Sequence, residues 1–306
     1  MDRKRIGHCL SLAVLVASMS ACALLRASNR ADFSELLKFG TPRELKNALA
    51  HGADLETRYR DGTRPLMIAA ESNPNPEAIA TLLGAGADLE ARDDFSRTAV
   101  MYAAKNRNPG VLKGLLKAGA RVEDQDKDGW TPLLLCASNS APNPKMIDAL
   151  LGAGASVDAR SKDGDTPLII AAGLSSRGVI VALLEAGANV NARNRRGVTP
   201  LMYAASANPR LEVVDTLIRA GAYINTRNYY YVTPLIYAVT NNRNPAVVVR
   251  LLEAGADPKV EDYDGLTAFD YAKTSEQLRG TRAYRLLQEA SKSDGKALPP
   301  GTSSKI

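Results

Sequence analysis

Side chains that could carry out catalysis or bind a metal are scarce in this sequence of 306 residues. It contains two histidines and three cysteines, and apart from the adjacent His8 and Cys9 they lie far from one another along the chain. His51 precedes a Gly-Ala pair that we expect to end a helix, where a cation interacts favourably with the helix dipole. Cys136 lies in an apolar segment, which indicates a buried thiol. Neither residue has neighbours at the spacing of a metal site, so the sequence predicts no catalytic residues and no enzyme activity.

An aspartate series is the remaining candidate for a metal site. Asp124, Asp126 and Asp128 have the alternating spacing that begins a calcium-binding loop. Such a loop needs a glutamate at its twelfth position, and this sequence has none there. Aspartates also cap turns through their carboxylates. We therefore expect these residues to stabilise a turn, and we predict neither a metal ion nor a cofactor.

The composition is that of a globular protein, with 45% apolar and 24% charged residues. These values exclude a mostly disordered chain, and the few cysteines exclude a disulfide scaffold. The net charge of +6 becomes +4 without residues 1–21, which carry three basic residues and one acidic residue. Because this charge is small and dispersed, we expect no nucleic-acid partner.

The beginning of the chain has the pattern of a secretory signal. A basic stretch at residues 3–5 precedes residues 6–25, which contain no Lys, Arg, Asp or Glu. This order of a basic and then an apolar region is typical of export signals. We therefore predict a signal peptide at residues 1–21 and a tether at residues 22–31.

The segment Met19-Ser20-Ala21-Cys22 resembles a bacterial lipobox, where cleavage before the cysteine accompanies acylation of its thiol. This resemblance implies lipidation of Cys22. Cleavage after Ser20 or Ala23 and an uncleaved membrane anchor are the alternatives, since 20 apolar residues can span a bilayer. Each alternative places the rest of the chain outside the cytoplasm, in the periplasm or on the outer side of the cell envelope.

The rest of the chain is a repeated unit of 33 to 35 residues. Each unit begins with a Thr-Pro-Leu-type segment and ends with a Gly-Ala pair, and most contain an Asn-Pro pair between them. Thr or Asn at an N-cap with Pro at the first helical position starts a helix, and Gly after an apolar stripe ends one. We therefore predict two helices in each unit. The second helix is expected to begin at the Asn-Pro pairs, which are residues 75–76, 108–109, 143–144, 208–209 and 244–245.

Twelve residues always separate the glycine of a Gly-Ala pair from the next Thr position, so the length varies only between the two helices. We call this constant segment the finger. Two residues before the Thr position, most fingers carry glycine, but the second has Ser96 and the sixth has Tyr231. If this position requires a left-handed backbone, a side chain there costs about 1–2 kcal/mol. The alternative is a different turn type in these two fingers.

The recurring pattern T-P-L-x-x-A-A … L-L-x-x-G-A-D/N resembles the ankyrin repeat over residues 32–290. The resemblance implies an all-α solenoid of helix–loop–helix units with β-turn fingers. It implies about seven repeats after an N-terminal half-repeat cap at residues 32–56, in which Thr41 and Glu44 have the spacing of a capping box. The polar residues 291–306 indicate a disordered tail. The histidine that the family carries after T-P-L is replaced by Met67, Met101, Leu134, Ile169, Met202 and Ile236, where we expect apolar packing.

Ankyrin repeats bind proteins through their finger tips and the concave face of the first helices, and the resemblance implies the same use here. Tyr, Trp and Arg, which anchor protein interfaces, are frequent at these positions. Three consecutive tyrosines, residues 229–231, cannot all face one core. The candidate partner-binding residues are Tyr59, Arg60, Phe95, Arg97, Trp130, Arg195, Arg196, Val198, Tyr229, Tyr230, Tyr231, Val232, Tyr263 and Leu266.

Charge changes along these fingers. The earlier fingers carry aspartates such as Asp93 and Asp94, whereas the later ones carry arginines and tyrosines. This distribution favours a partner with an acidic, apolar-bearing patch at the later fingers. The tyrosines at one position of the first helices are expected to pack between repeats; they are Tyr102, Tyr203, Tyr237 and Tyr271.

We therefore predict a non-catalytic, monomeric protein-binding module that is tethered to a membrane of the cell envelope through its N-terminus. A structural spacer of the envelope and a binder of cell-wall glycan are the alternative functions. Fingers that are simply solvated, with tyrosines packed between neighbours, are the alternative interpretation of the candidate site.

Overall fold

The computed structural model describes residues 33–139, 143–174 and 176–292, which form helices joined by turns. These residues divide into two compact units, the first ending at Ala120 and the second beginning at Arg121. The predicted signal peptide, the Cys22 lipidation site and the tether at 22–31 lie outside the described residues, as does the tail from residue 293 onwards. The all-α fold class is confirmed.

The described part of the first unit consists of helical pairs. The N-terminal cap contains two helices. The first helices Pro65–Ser72 and Ala99–Ala103 contact each other, and so do the successive second helices Pro42–Ala50, Pro76–Gly84 and Pro109–Lys117. In chain order the helices are residues 33–39 (α1), Pro42–Ala50 (α2), Pro65–Ser72 (α3), Pro76–Gly84 (α4), Ala99–Ala103 (α5) and Pro109–Lys117 (α6).

The second unit continues the same arrangement. Its first helices pack against first helices of the adjacent repeats and its second helices against second helices, which is the nearest-neighbour stacking of a solenoid. The helices are Pro132–Ser138 (α7), Pro144–Gly152 (α8), Pro167–Leu174 (α9), Arg177–Glu185 (α10), Pro200–Ala207 (α11), Leu211–Arg219 (α12), Pro234–Asn241 (α13), Pro245–Glu253 (α14), Ala268–Thr274 (α15) and Arg282–Lys292 (α16).

The helix starts follow the capping chemistry that the sequence predicts. The Thr41 hydroxyl accepts a hydrogen bond from the Glu44 N–H at 3.3 Å, and the Glu44 carboxylate accepts from the Thr41 N–H at 2.8 Å. This capping box is confirmed. Thr98 differs, because its buried hydroxyl makes no hydrogen bond with the described residues. The first helices capped by a threonine hydroxyl are those that follow Thr131, Thr166, Thr199, Thr233 and Thr267.

The Asn-Pro prediction is wrong in the fifth repeat. There the second helix has Arg210 at its N-cap and begins at Leu211, while Asn208 lies at the end of α11. In the fourth repeat Ser176 is at the N-cap, and Ser175, its alternative, lies outside the described residues. The prediction is confirmed where the asparagine side chain accepts from the N–H two residues later, at Asn75, Asn108, Asn143 and Asn244.

Asn208 corresponds instead to a series of buried asparagines that link adjacent repeats. In the second repeat, Asn106 Nδ2 donates to the carbonyls of Ala70 and Asn73, both at 2.9 Å, and its Oδ1 accepts from the Asn108 N–H at 2.9 Å. The side chain thereby satisfies carbonyls left open where the preceding first helix ends. The same contacts recur at Asn73 and Asn242, and in part at Asn208. Sequence analysis missed this role.

The apolar residues that replace the family's histidine are all buried, which confirms the predicted packing. Cys136 is also buried in α7, and burial raises the pKa of its thiol to about 12. The thiol is therefore neutral and unreactive, as predicted for a core residue. At the C-terminus, α16 extends to Lys292, two residues into the segment predicted as a tail, because buried Ala290 anchors its last turn.

Among the described residues, the helices lack the combination of length and hydrophobicity that is needed to cross a bilayer.

Candidate functional site

A single side-chain acceptor closes the turn of each of several fingers. In the third, Asp126 Oδ1 accepts from the N–H groups of Asp128 at 2.9 Å and Trp130 at 2.8 Å. The predicted turn-stabilising role is therefore confirmed for Asp126. Within the described ranges, no group of three or more His, Cys, Asp or Glu side chains could hold a metal ion. The corresponding acceptors in other fingers are Asp93, Asn194, Asn228 and Asp262.

Backbone hydrogen bonds connect successive fingers of the second unit. The Tyr229 N–H donates to the Arg196 carbonyl at 3.2 Å, and the Tyr263 N–H donates to the Tyr230 carbonyl at 3.1 Å. Arg193 adds a side-chain link, since its Nη2 donates at 2.7 Å to the backbone carbonyl of residue 227. These bonds fix the spacing of the finger tips.

The glycine position of the fingers is left-handed even where glycine is absent. Its φ lies between +73° and +77° at the five glycines, and it is +64° at Ser96 and +60° at Tyr231. The alternative of a different turn type is therefore wrong. A side chain in this region clashes with its own backbone, so each of the two residues stores about 1–2 kcal/mol of strain. In the five fingers with glycine, this residue is Gly62, Gly129, Gly164, Gly197 or Gly265.

Replacing Tyr231 by glycine is expected to stabilise the second unit by about 1 kcal/mol, because the relieved strain exceeds the added flexibility of the unfolded chain. Urea unfolding monitored by circular dichroism measures this change. Gly265→Ala is the matched control, because an added Cβ there meets no atom within 4 Å. We expect it to lower the free energy of unfolding by about 1 kcal/mol, and this loss measures the strain of a left-handed backbone without any steric clash. If the Tyr231→Gly protein were less stable than the wild type, the backbone strain assigned to Tyr231 would be wrong.

Exposed tyrosines lie at the tips of the last two fingers. Tyr229, Tyr230 and Tyr231 are 65%, 60% and 50% exposed, and Tyr263 is 77% exposed. We call these four residues the tyrosine cluster. Leu266 is also exposed, as are the predicted contacts Arg195 and Arg196 on the preceding finger. The sequence thus correctly predicted exposed aromatic residues at adjacent finger tips.

Other predicted contact residues are less accessible. Val198 is only 6% exposed, so its side chain does not belong to the exposed finger tips. Val232, Tyr59 and Trp130 are half-buried, whereas Arg60 and Phe95 are exposed.

Asp93, which the sequence placed on an acidic edge, is buried beneath the second finger. Its carboxylate accepts from the N–H groups of Phe95 at 2.9 Å and Arg97 at 2.7 Å, from Arg97 Nε at 2.7 Å and from the Tyr102 hydroxyl at 2.7 Å. Burial by itself would raise the pKa of Asp93, but the hydrogen bonds from Tyr102 and Arg97 outweigh it and lower the pKa. Arg97 is therefore committed to this ion pair.

The first-helix tyrosines connect each helix to the finger of its own repeat, a role that sequence analysis missed. The Tyr271 hydroxyl donates to Asp262 Oδ2 at 2.6 Å, and this bond, together with burial, raises the pKa of Tyr271 to about 12. The Tyr237 hydroxyl accepts from Asn228 Nδ2 at 3.0 Å. The Tyr102 hydroxyl donates to Asp93 Oδ2, as the Tyr271 hydroxyl does to Asp262.

Tyr203 departs from this pattern. Its hydroxyl makes no hydrogen bond with the described residues, and its ring lies against Gly173 of the neighbouring first helix. A Cβ at Gly173 would come within 2.4 Å of the ring, so only glycine leaves room for this position. Tyr203 packs between repeats, as predicted.

Two recesses adjoin the tyrosine cluster. One is an open groove of about 430 Å³ beside Tyr231 and Tyr263, and its charged lining residues are Arg227, Asp257, Lys259, Glu261 and Asp262. The other, of about 200 Å³, lies between two successive fingers and the first helices that follow them; we call it the Arg196 pocket. Its walls include Arg196, Tyr203, Tyr230 and Tyr237, and its apolar lining includes Val198 and Met202.

Comparison with known families agrees with this architecture. A family described as ankyrin repeats (3 copies) matches residues 33–126, 66–160, 111–194 and 139–228, and one described as ankyrin repeats (many copies) matches residues 217–272. These matches extend over well more than half of the chain. The chain belongs to the ankyrin-repeat family. Membership of this family suggests a protein-binding module.

Curated relatives share only part of this sequence. The mitochondrial disaggregase of Homo sapiens is 35% identical over 96 residues, which is 31% of this chain and 13% of that protein. The mitochondrial disaggregase of Bos taurus is 39% identical over 70 residues, 23% of this chain and 10% of that protein. The chain therefore spans about a tenth of the length of these relatives.

Proposed function

We propose that this ankyrin-repeat protein is a non-catalytic, monomeric binding module of the cell envelope, and that its tyrosine cluster holds a partner protein. The observation that carries the proposal is the conformation of Tyr231. The strained backbone and exposed ring of Tyr231 give no advantage for folding, because glycine occupies the same turn position without strain in other fingers. Strained residues persist where function requires them.

The neighbouring side chains support the same function. Tyrosine buries a large, rigid ring on binding and keeps a hydroxyl for hydrogen bonding, which is why it is enriched at interfaces. The backbone bond from Tyr263 to Tyr230 sets the two tips side by side, and Tyr231 and Tyr263 border the same groove. The disaggregase relatives are matched over too short a segment to bring their activity into this proposal.

Replacing Tyr229, Tyr230 and Tyr231 together by serine is expected to weaken partner binding at least about tenfold, since interface tyrosines are frequent hot spots. Serine already occupies the position of Tyr231 in the second finger, as Ser96, so the fold should survive. The assay is chemical cross-linking of purified protein in an envelope extract, followed by mass spectrometry and by binding measurements with each purified partner.

Tyr223→Ser is the matched control, because Tyr223 is 68% exposed in the same unit but lies outside the cluster. Binding that is equal in the triple variant and the wild type would contradict the assignment. If the wild type and both variants sedimented equally with purified cell-wall polymer, the result would favour a glycan binder instead.

We further propose that residues 1–21 are removed as a signal peptide, that Cys22 is acylated and that residues 22–31 tether the repeats to the membrane. The support is the sequence alone: a basic start, an apolar stretch and the lipobox-like segment before Cys22. Acyl chains contribute about 0.8 kcal/mol per buried methylene, so several chains anchor a protein firmly.

Growth with radioactive palmitate is expected to label the wild-type protein and not the Cys22→Ser variant. Cys136→Ser is the control, since a buried thiol is not acylated and its loss leaves labelling unchanged. Equal labelling of the wild type and Cys22→Ser would remove the lipobox assignment.

A further inference from the structure

The Arg196 pocket contains hydrogen-bond donors that the protein itself does not use. Arg196 is exposed and its guanidinium forms no ion pair with a carboxylate of the described residues. The hydroxyls of Tyr203 and Tyr230 likewise make no hydrogen bond within those residues. In a pocket with apolar walls, such groups are available for a ligand.

Tyr237 adds a third hydroxyl with a defined direction. Its oxygen already accepts from Asn228, so its hydrogen is the part left to interact with a ligand. Burial raises the pKa of Tyr237, while the positive charge of nearby Arg196 acts in the opposite direction. The hydroxyl is therefore protonated at neutral pH and faces the same space as the guanidinium.

We propose that the Arg196 pocket binds a single aspartate or glutamate side chain of the partner protein. This proposal rests on the proposed function and names the group that the partner inserts. A carboxylate only accepts hydrogen bonds, so it matches a guanidinium surrounded by hydroxyl donors, and bonds between charged partners are the strong ones. No aspartate or glutamate lines the pocket to compete with it.

The size and charge of the pocket favour one side chain over other ligands. Its volume of about 200 Å³ lies below the range of about 300–1,000 Å³ that is usual for small-molecule sites. Phosphopeptide sites use clusters of arginines, whereas a single arginine lines this pocket. We therefore favour a carboxylate over a phosphate.

The larger groove beside Tyr231 does not favour a carboxylate. Its lining contains two basic and three acidic residues, so it carries no excess of positive charge that would attract a carboxylate. The Arg196 pocket, by contrast, leaves a positive charge uncompensated. A partner with an acidic residue beside apolar residues could therefore place the carboxylate in the pocket and its apolar neighbours on the rings of Tyr230 and Tyr263.

The test uses a display library of random 12-residue peptides, selected on the purified protein. We expect the selected peptides to share one acidic position. Arg196→Gln should weaken their binding at least about tenfold, as expected when one member of a desolvated charge pair is lost. Arg195→Gln is the matched control, because this neighbouring arginine is exposed on the same finger but does not line the pocket, and it should change binding less than about twofold.

A mutant cycle makes the contact specific. Changing the acidic residue of the peptide to its amide should weaken binding to the wild type as much as Arg196→Gln does, and should have no further effect on that variant. Gly173→Ala should weaken the same peptides, since the added Cβ displaces the ring of Tyr203 from the pocket wall. Thermal unfolding of Arg196→Gln should match the wild type, because the residue is exposed.

Several results would overturn the carboxylate assignment. They are selected peptides without a shared acidic position, equal effects of Arg196→Gln and Arg195→Gln, and tighter binding when phosphoserine replaces the acidic residue. Peptides that lose binding with the triple serine variant but not with Arg196→Gln would overturn this inference and leave the proposed function standing.

Discussion

Replacing Asp93 by alanine is expected to destabilise the first unit by about 3 kcal/mol. The buried carboxylate accepts four hydrogen bonds, and its loss would leave the Arg97 guanidinium and the Tyr102 hydroxyl without their acceptor. Removing one member of a buried ion pair typically costs 3–5 kcal/mol, and the partial exposure of Arg97 places this case at the lower end, about 3 kcal/mol. Urea unfolding at pH 7 measures the change.

Asp126→Ala is the control for this prediction. Asp126 caps the equivalent turn of the third finger by accepting the same pair of backbone N–H groups, but it has no arginine or tyrosine partner in that network. Its loss should cost about 1 kcal/mol, as for other side-chain caps. Equal losses for the two variants would show that the arginine and tyrosine bonds of Asp93 contribute nothing.

The lowered pKa of Asp93 also predicts a pH dependence. A carboxylate whose pKa is lower in the folded than in the unfolded state stabilises the fold at a pH above the unfolded value of about 3.9. This contribution is lost as the pH falls through the lowered pKa of the folded state. Asp93→Asn, with the residue type found at Asn194 and Asn228, should therefore be less stable than the wild type at pH 7 but lose less stability towards pH 3. If the stability of the wild type and of Asp93→Asn changed in parallel between pH 7 and pH 3, the lowered pKa of Asp93 would be contradicted.

The second large effect is expected at the buried asparagines. Asn106→Ala should destabilise the first unit by about 3 kcal/mol, because two carbonyls and one N–H group in a buried position lose their partner together. Urea unfolding measures the loss, and hydrogen exchange at the Asn108 amide reports whether that bond is broken.

Asn75→Ala provides the comparison within the same unit. This asparagine is a helix N-cap whose side chain accepts from the Glu77 N–H, so its removal should cost about 1 kcal/mol. If the two substitutions were equally destabilising, the buried asparagines would be ordinary caps and not links between repeats.

The sequence alone determined the repeats, the helix starts at Thr41 and at most of the Thr-Pro and Asn-Pro pairs, and the exposed tyrosines of the last fingers. These features depend on residues a few positions apart, whose backbone and capping chemistry is visible along the chain. The fingers were predictable for the same reason, since their constant length allowed the glycine position, and its exceptions Ser96 and Tyr231, to be compared directly.

Only the tertiary structure decided the features that depend on residues 30 or more positions apart. The carbonyls that Asn106 satisfies belong to the preceding repeat. Asn208 makes a contact of the same kind, which is why it links two repeats and does not cap the second helix. The position of Tyr203 over Gly173, which shapes the Arg196 pocket, likewise joins two repeats. Burial of Val198 and Asp93 was not predictable either, because a β-turn pattern does not reveal which of its side chains face the core.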